Sequence, residues 1–146
     1  MASVRHRNQV LLLALAAAPE HSLTPVQAQK IAFLVSQEAK RLAPKPFYKF
    51  VPYDYGPFSS DVYKDLEGLA RRGLVSVELP PTVKVRRYRL TPEGKDCVLD
   101  IQEESGELSN YVTQATEWVS NLSFPELVSA IYARYPAFKR NSVFVD

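Results

Sequence analysis

The chain has 146 residues, enough for one domain with a sizeable core and too few for a second unit of ordinary size. Apolar residues make up 46% and charged residues 23%, which excludes wholesale disorder. Eighteen lysines and arginines against sixteen acids leave a net charge of +2, unevenly distributed. Residues 1–100 carry fifteen basic and ten acidic side chains, whereas residues 101–146 carry three and six.

The first apolar stretch has two interpretations. Residues 10–18 follow Arg5, His6 and Arg7 and imitate the basic and apolar parts of a secretory signal. Pro19 makes a poor cleavage junction, and the stretch is far short of the ~20 residues that span a bilayer. Because alanine and leucine are strong helix formers, we expect a buried first helix.

Helix starts and proline stops predict helices around one hairpin. Thr24 caps a helix with Pro25 in its first position, where the missing amide hydrogen is not needed. Apolar residues recur there at helical spacing, with Lys30 on another face, and Pro44 ends the helix at about Leu42. The other predicted elements are a strand over 47–53, a turn at 55–57, a helix over 57–72, strands over 74–79 and 83–90, a helix after Thr91, a helix over 107–121, and a last helix that Ser123 caps and Pro136 ends.

The predicted hairpin and its flanks resemble the wing of winged-helix proteins. The ending Tyr88-Arg89-Leu90-Thr91-Pro92-Glu93-Gly94 is similar to the close of the wing in MarR-like and PadR-like transcription regulators. The stretch from Gly56-Pro57-Phe58 to Gly73-Leu74-Val75 is similar to their recognition helix. The resemblance covers residues 55–95. It implies a mainly α fold with a small β-hairpin or sheet (α+β), a winged helix with additional C-terminal helices.

Basic residues on the predicted helix end and wing indicate binding to double-stranded DNA. Glu78 is the one acid among residues 71–89, and wing arginines contact phosphates or enter a narrow minor groove. The alternative is a solvated charged edge that prevents pairing between sheets. The predicted nucleic-acid-binding residues are Ser59, Ser60, Lys64, Arg71, Arg72, Lys84, Arg86, Arg87 and Arg89.

Two features argue against a simple DNA reader. The candidate recognition helix also carries Asp61, Asp65 and Glu67, which would repel a phosphate-lined groove unless they face away. The connection from Leu42 to Pro57 has about fourteen residues, whereas a helix-turn-helix uses ~3–4.

The front half carries a second resemblance. Residues 23–34, then Tyr53-Asp54-Tyr55-Gly56-Pro57-Phe58 and Val62-Tyr63, are similar to the Panacea-type antitoxin domain, over about residues 23–66. Members of that family are antitoxins or adaptors that bind partner proteins. The resemblance therefore implies a protein partner, such as a toxin or a protease adaptor. The candidate partner-binding residues are Tyr53, Tyr55 and Tyr63.

The aromatic residues of this region also have two interpretations, because aromatics dominate both cores and interfaces. We expect Phe47, Phe50 and Phe58 to pack under the wing and the tyrosines to be the better interface candidates. Four aromatic residues of the last helices are open between core packing and a homodimer seam: Tyr111, Trp118, Tyr132 and Tyr135.

Catalysis finds little support in the sequence. His6 and His21 have no carboxylate or cysteine at metal-ligand spacing, and the glycines form no phosphate-cradling run. The single cysteine, Cys97, excludes an intrachain disulfide and indicates a reduced, cytoplasmic setting. We expect no enzyme activity, no cofactor, no metal and no membrane contact.

The sequence thus predicts one winged-helix domain over 1–146, with a core over 1–100 and a helical extension over 101–146. We expect a cytoplasmic homodimer that binds DNA as a transcription regulator. The alternative is an antitoxin or adaptor that binds a partner protein through its tyrosines.

Overall fold

Six α-helices and five short strands make up the part of the chain that the computed structural model describes, residues 6–81 and 85–144. The helices are α1 (Gln9–Ala17), α2 (Pro25–Glu38), α3 (Ser60–Arg71), α4 (Pro92–Glu104), α5 (Gly106–Ser120) and α6 (Phe124–Arg134). The strands are β1 (Ser22–Leu23), β2 (Val51–Tyr53), β3 (Gly56–Phe58), β4 (Val75–Glu78) and β5 (Arg87–Leu90). The predicted mainly helical α+β class is confirmed.

The predicted helix caps are confirmed. The Thr24 hydroxyl accepts a hydrogen bond from the Gln27 amide at 3.3 Å, and the Gln27 side chain accepts one from the Thr24 amide at 2.9 Å. The same reciprocal box joins Ser123 and Glu126 at the start of α6. These bonds satisfy amide groups that the first turn of a helix leaves without partners. The predicted end of α2 is wrong, because Ala39 already leaves helical geometry and the helix stops at Glu38.

Two antiparallel sheets are present. The first has the strand order β1-β5-β4, so that β1 adds a third strand to the β4–β5 hairpin. Strand β5 is shorter than predicted, and residues 82–84 lie outside the described residues. The second sheet is the β2–β3 hairpin, in which Tyr53 pairs with Gly56 and Pro52 with Pro57. The predicted turn at 55–57 is therefore wrong; the chain reverses at Asp54 and Tyr55.

The core is built around α1. Its residues Val10 to Leu15 are all buried, as expected for an internal first helix. Helix α5 packs against α1, α2 and α4, so the C-terminal helices complete the core that the earlier helices form. The buried hydrophobic residues of α5 and α6 include Leu108, Val112, Ala115, Val119, Leu127, Val128 and Ile131.

The β2–β3 hairpin fills the long connection between α2 and α3. Phe33 of α2 makes edge-to-face contacts with Phe50, just before the hairpin, and with Phe138 of the 3₁₀ turn Pro136–Lys139. Beyond that turn, the Val143 amide and the Ser142 hydroxyl donate hydrogen bonds to the Asp54 carbonyl at 2.9 and 3.2 Å. The hairpin is thus held between α2 and the segment that follows α6.

Gly94, in the first turn of α4, packs closely against residues at one end of the β4–β5 strand pair. A Cβ atom there would collide with the Leu74 carbonyl and lie 2.6 Å from Leu90 Cδ1. We expect Gly94→Ala to lower the free energy of unfolding by about 1–3 kcal/mol through overpacking. Gly106→Ala is the matched control, because no atom lies within 4 Å of its Cβ position. Urea unfolding measures both; equal midpoints would contradict the packing of α4 against the sheet.

Candidate functional site

The N-terminal end of α3 differs from the prediction for base contacts. Ser59 is only 5% exposed, and its backbone amide and carbonyl both bond the Gln29 side chain, at 3.0 and 2.8 Å. The prediction that Ser59 contacts nucleic acid is therefore wrong, since the hairpin and α2 enclose it. Ser60 and Lys64 are exposed, and Lys64 lies 3.8 Å from the Asp61 carboxylate.

The outer face of α3 has mixed charge. Lys64 and Arg71 share it with Glu67 and the partly exposed Asp61. Asp65 faces away, where its carboxylate accepts hydrogen bonds from Arg7 at 2.9 Å and from Tyr48 at 2.6 Å. Burial, strengthened by Asp65, raises the pKa of Tyr48 well above its ordinary value. The face therefore lacks the net positive charge that a phosphate-lined groove attracts.

Two of the predicted wing arginines are bonded within the sheet. The Arg87 guanidinium donates to the Ser22 hydroxyl at 2.7 Å. The Arg89 guanidinium donates to Glu78 at 3.0 Å and to the Glu20 carbonyl at 2.6 Å. These bonds attach β1 and the turn before it to the β4–β5 hairpin. Both guanidinium groups therefore join strands of the sheet, and their assignment as phosphate contacts stays a prediction.

The remaining predicted cations form two separate groups. Arg71 and Arg72 are exposed at the end of α3, just before the Val75–Leu90 strand pair. Arg86 is exposed beyond the opposite end of the hairpin, about 10 Å further along the strands. Burial raises the pKa of Tyr63, and the charge of Arg86 opposes part of that rise. Lys84 lies outside the described residues.

Aromatic side chains project from the β2–β3 hairpin and its neighbours. Tyr53 stacks on Phe58 with ring centroids 4.9 Å apart, and Phe58 meets the edge of Tyr63 at 5.4 Å. Tyr55 meets Phe124 edge-on at 5.2 Å. Tyr53 is 52% exposed and Tyr55 43%. We call the set the aromatic face: Val51, Tyr53, Tyr55, Phe58, Tyr63 and Phe124.

The structure differs from the sequence analysis of the aromatic residues in two ways. Phe47 and Phe50 are half-buried, but Phe50 packs on Phe33 of α2 and not under the β4–β5 hairpin. Phe124 was missed by sequence reasoning. It is the first residue of α6, far from the hairpin in sequence, and no spacing pattern links it to Tyr55.

Lys30 lies directly behind the aromatic face. It is 3% exposed, and its ammonium group donates a hydrogen bond to the Pro57 carbonyl at 3.3 Å. Burial lowers its pKa from 10.5 to about 8. The expectation that Lys30 occupies a polar face of α2 is wrong, because the hairpin covers that face. It borders a cavity of about 60 Å³ whose other walls are Val26, Gln29, Tyr53, Tyr55, Gly56, Pro57 and Phe58.

A larger groove lies further along α2. Its volume is about 490 Å³, and no acidic residue lines it. The apolar walls include Phe47 and Phe50, and the rim carries the exposed Lys40, Lys45 and Lys49. We call this the basic groove. The basic groove lies next to the hairpin, because Lys49 and Phe50 directly precede β2.

Neither a metal centre nor a membrane span is evident in the described ranges, 6–81 and 85–144. No three histidine, cysteine, aspartate or glutamate residues there are grouped so that they could hold a metal ion. No helix among those residues is both long and apolar enough to cross a membrane. In comparisons with known proteins, the chain matches no protein-family model, no curated protein and no solved structure.

The lowered pKa of Lys30 predicts a specific pH dependence. The charged form is less favoured in the folded chain than in the unfolded chain, and this penalty is complete below pH 8. It is relieved as the pH rises from 8 towards 10.5. Relative to Lys30→Met, we expect the native chain to gain about 2 kcal/mol of unfolding free energy between about pH 7 and pH 9.5.

Denaturant unfolding of the two proteins across this range measures the difference. Remaining below about pH 10 avoids ionisation of the tyrosines in the unfolded chain. Parallel pH profiles for the native chain and Lys30→Met would contradict the burial of this ammonium group.

Proposed function

We propose that this chain is a non-enzymatic module that binds a partner protein through the aromatic face. The observation that carries the proposal is the exposure of Tyr53 and Tyr55, each about half open to solvent while in contact with a further aromatic ring. Rigid, partly exposed aromatic clusters supply most of the affinity of protein interfaces. The aromatic rings here hold one another in place, so little side-chain freedom remains to be lost on binding.

The charge around the aromatic face supports an acidic partner. The basic groove, with Lys40, Lys45 and Lys49 on its rim, ends at Phe50, directly before the hairpin. Complementary charge steers a partner and fixes its orientation. The resemblance to Panacea-type domains supports an antitoxin or adaptor that acts on a toxin or a protease system. The lone cysteine supports a cytoplasmic setting.

DNA binding is the second candidate, on a different surface. Arg71 and Arg72 are both exposed at the end of α3, beside the base of the β4–β5 hairpin. Apart from the β2–β3 hairpin, the elements from α1 to β5 follow the order of a winged helix: a helix, a strand, two helices and a two-stranded wing. Against it stand the buried Ser59 and the two guanidinium groups occupied within the sheet.

The aromatic face can be tested with a photo-crosslinking residue in place of Val51, in the full chain in its native cell. A crosslinker in place of Leu99 is the control, because Leu99 is 63% exposed on α4 and outside the face. We expect one protein to crosslink from position 51 and not from position 99, and mass spectrometry to identify it.

Affinity for that protein is then measured by calorimetry. Tyr53→Ser with Tyr55→Ser should weaken binding roughly 30-fold or more, about 2 kcal/mol, whereas Leu99→Ser should leave it unchanged. If position 51 crosslinks to a second copy of the chain, the aromatic face is a homodimer seam and sedimentation should show its loss in the double variant. Affinity that survives in the double variant would reject the proposal.

DNA binding is tested by fluorescence anisotropy with the chain's own upstream DNA and a scrambled duplex, over a salt series. If this candidate is right, Arg71→Ala with Arg72→Ala should lower affinity for both duplexes and reduce the salt slope by roughly 2. Lys95→Ala with Arg140→Ala removes the same charge from other exposed positions and should have a smaller effect. Equal affinity for the two duplexes would remove the regulator hypothesis.

A further inference from the structure

We propose that the cavity at Lys30 is a binding site for a carboxylate group of the partner protein, an inference that rests on the proposed function. The ammonium group is buried and has one hydrogen-bond acceptor, the Pro57 carbonyl, at 3.3 Å. No acidic residue lines the cavity, and no ion pair to Lys30 is found among residues 6–81 and 85–144. Buried charges in proteins are normally paired, so an anion placed beside this ammonium group would offset the cost of burying it.

A second polar group next to Lys30 also lacks a partner. The Tyr132 hydroxyl is buried and makes no hydrogen bond within the described residues. The Tyr132 ring and the Lys30 ammonium group lie 3.4 and 3.5 Å from the point where Gly56 would carry a Cβ. Gly56, at φ +110°, therefore leaves open the space between the Tyr132 ring and the end of the Lys30 side chain.

The titratable groups around Lys30 are tyrosines and a cation. Tyr53 and Tyr55 come from the hairpin and Tyr132 from α6. Lys139 of the 3₁₀ turn lies 5.9 Å from the Tyr132 ring centroid. None of these groups is a carboxylate that could pair with the Lys30 ammonium group.

The size of the cavity limits the ligand. Its volume of about 60 Å³ is several times the roughly 10–15 Å³ that one water molecule needs, so a small anionic group such as a carboxylate fits. Tyr53 and Tyr55 line the cavity and also belong to the aromatic face, so the rest of a partner whose carboxylate binds here would lie on that face.

The test uses the full chain with isotope-labelled lysine side chains, observed by NMR during titration with sodium acetate at constant ionic strength. We expect a saturable shift of the Lys30 resonance, half complete below about 100 mM acetate, and none with acetamide. N-acetylalanine and the α-amide of N-acetylglutamic acid then separate a main-chain carboxylate from a side-chain carboxylate. Absence of a saturable Lys30 shift with all three carboxylates would overturn the proposal.

Two variants separate this role from a structural one. Lys30→Met should abolish the acetate response, monitored at the Gly56 amide, and leave the unfolding midpoint at neutral pH unchanged or higher. Lys64→Met, which removes an exposed lysine, should keep the response. A large fall in the midpoint of Lys30→Met would assign Lys30 to the fold and reject the site.

Failure of this inference and failure of the proposed function give different results. Val51→Asp changes the aromatic face at a residue that does not line the cavity, so it should weaken partner binding and keep the acetate response. If Lys30→Met binds the crosslinked partner as tightly as the native chain while Val51→Asp does not, the function stands and the carboxylate site is rejected.

Discussion

The bonds between the Gln29 side chain and the backbone of Ser59 determine where the rest of the structure lies. One buried amide satisfies both the donor and the acceptor of the residue that precedes α3. These groups would otherwise be buried without partners, at a cost of about 1–3 kcal/mol each. The bonds place the start of α3 against α2, and the hairpin between the two helices must then lie across α2. As a result the β2–β3 hairpin covers Lys30, and α3 carries Tyr63 to the edge of the hairpin.

The β2–β3 hairpin determines which side chains surround the start of α3. In a helix-turn-helix the two helices are joined by a turn of ~3–4 residues, and the recognition helix exposes its first residues. Here a two-stranded insert occupies that place and supplies aromatic rings instead. The sheet uses Arg87 and Arg89 to attach β1 and Glu20. The exposed surface of the β2–β3 hairpin is consequently aromatic. The exposed cations near the β4–β5 pair are divided between its two ends, with Arg71 and Arg72 at one end and Arg86 at the other.

Much of the fold could be predicted because its signals are local. Thr24 and Ser123 cap helices through residues three positions away, and α1 is apolar on every side, so neighbouring residues determine the outcome. The burial of Lys30 could not be predicted in this way. Its position on α2 marks a polar face, and only contact with residues 56–58, nearly thirty positions later, turns that face inward. Phe124 joins the aromatic face through a contact of still longer range.

The attachment of residues 142 and 143 to the Asp54 carbonyl has a consequence for synthesis of the chain. A ribosome releases the hairpin long before it releases α6 and the segment that holds the hairpin turn. Phe124, which Tyr55 contacts edge-on, and Phe144, which stacks on Phe124, also arrive late. The aromatic face is therefore assembled only when translation of this region is nearly finished. Until then Tyr55 lacks its neighbour Phe124, so a nascent chain does not yet offer a partner the completed surface.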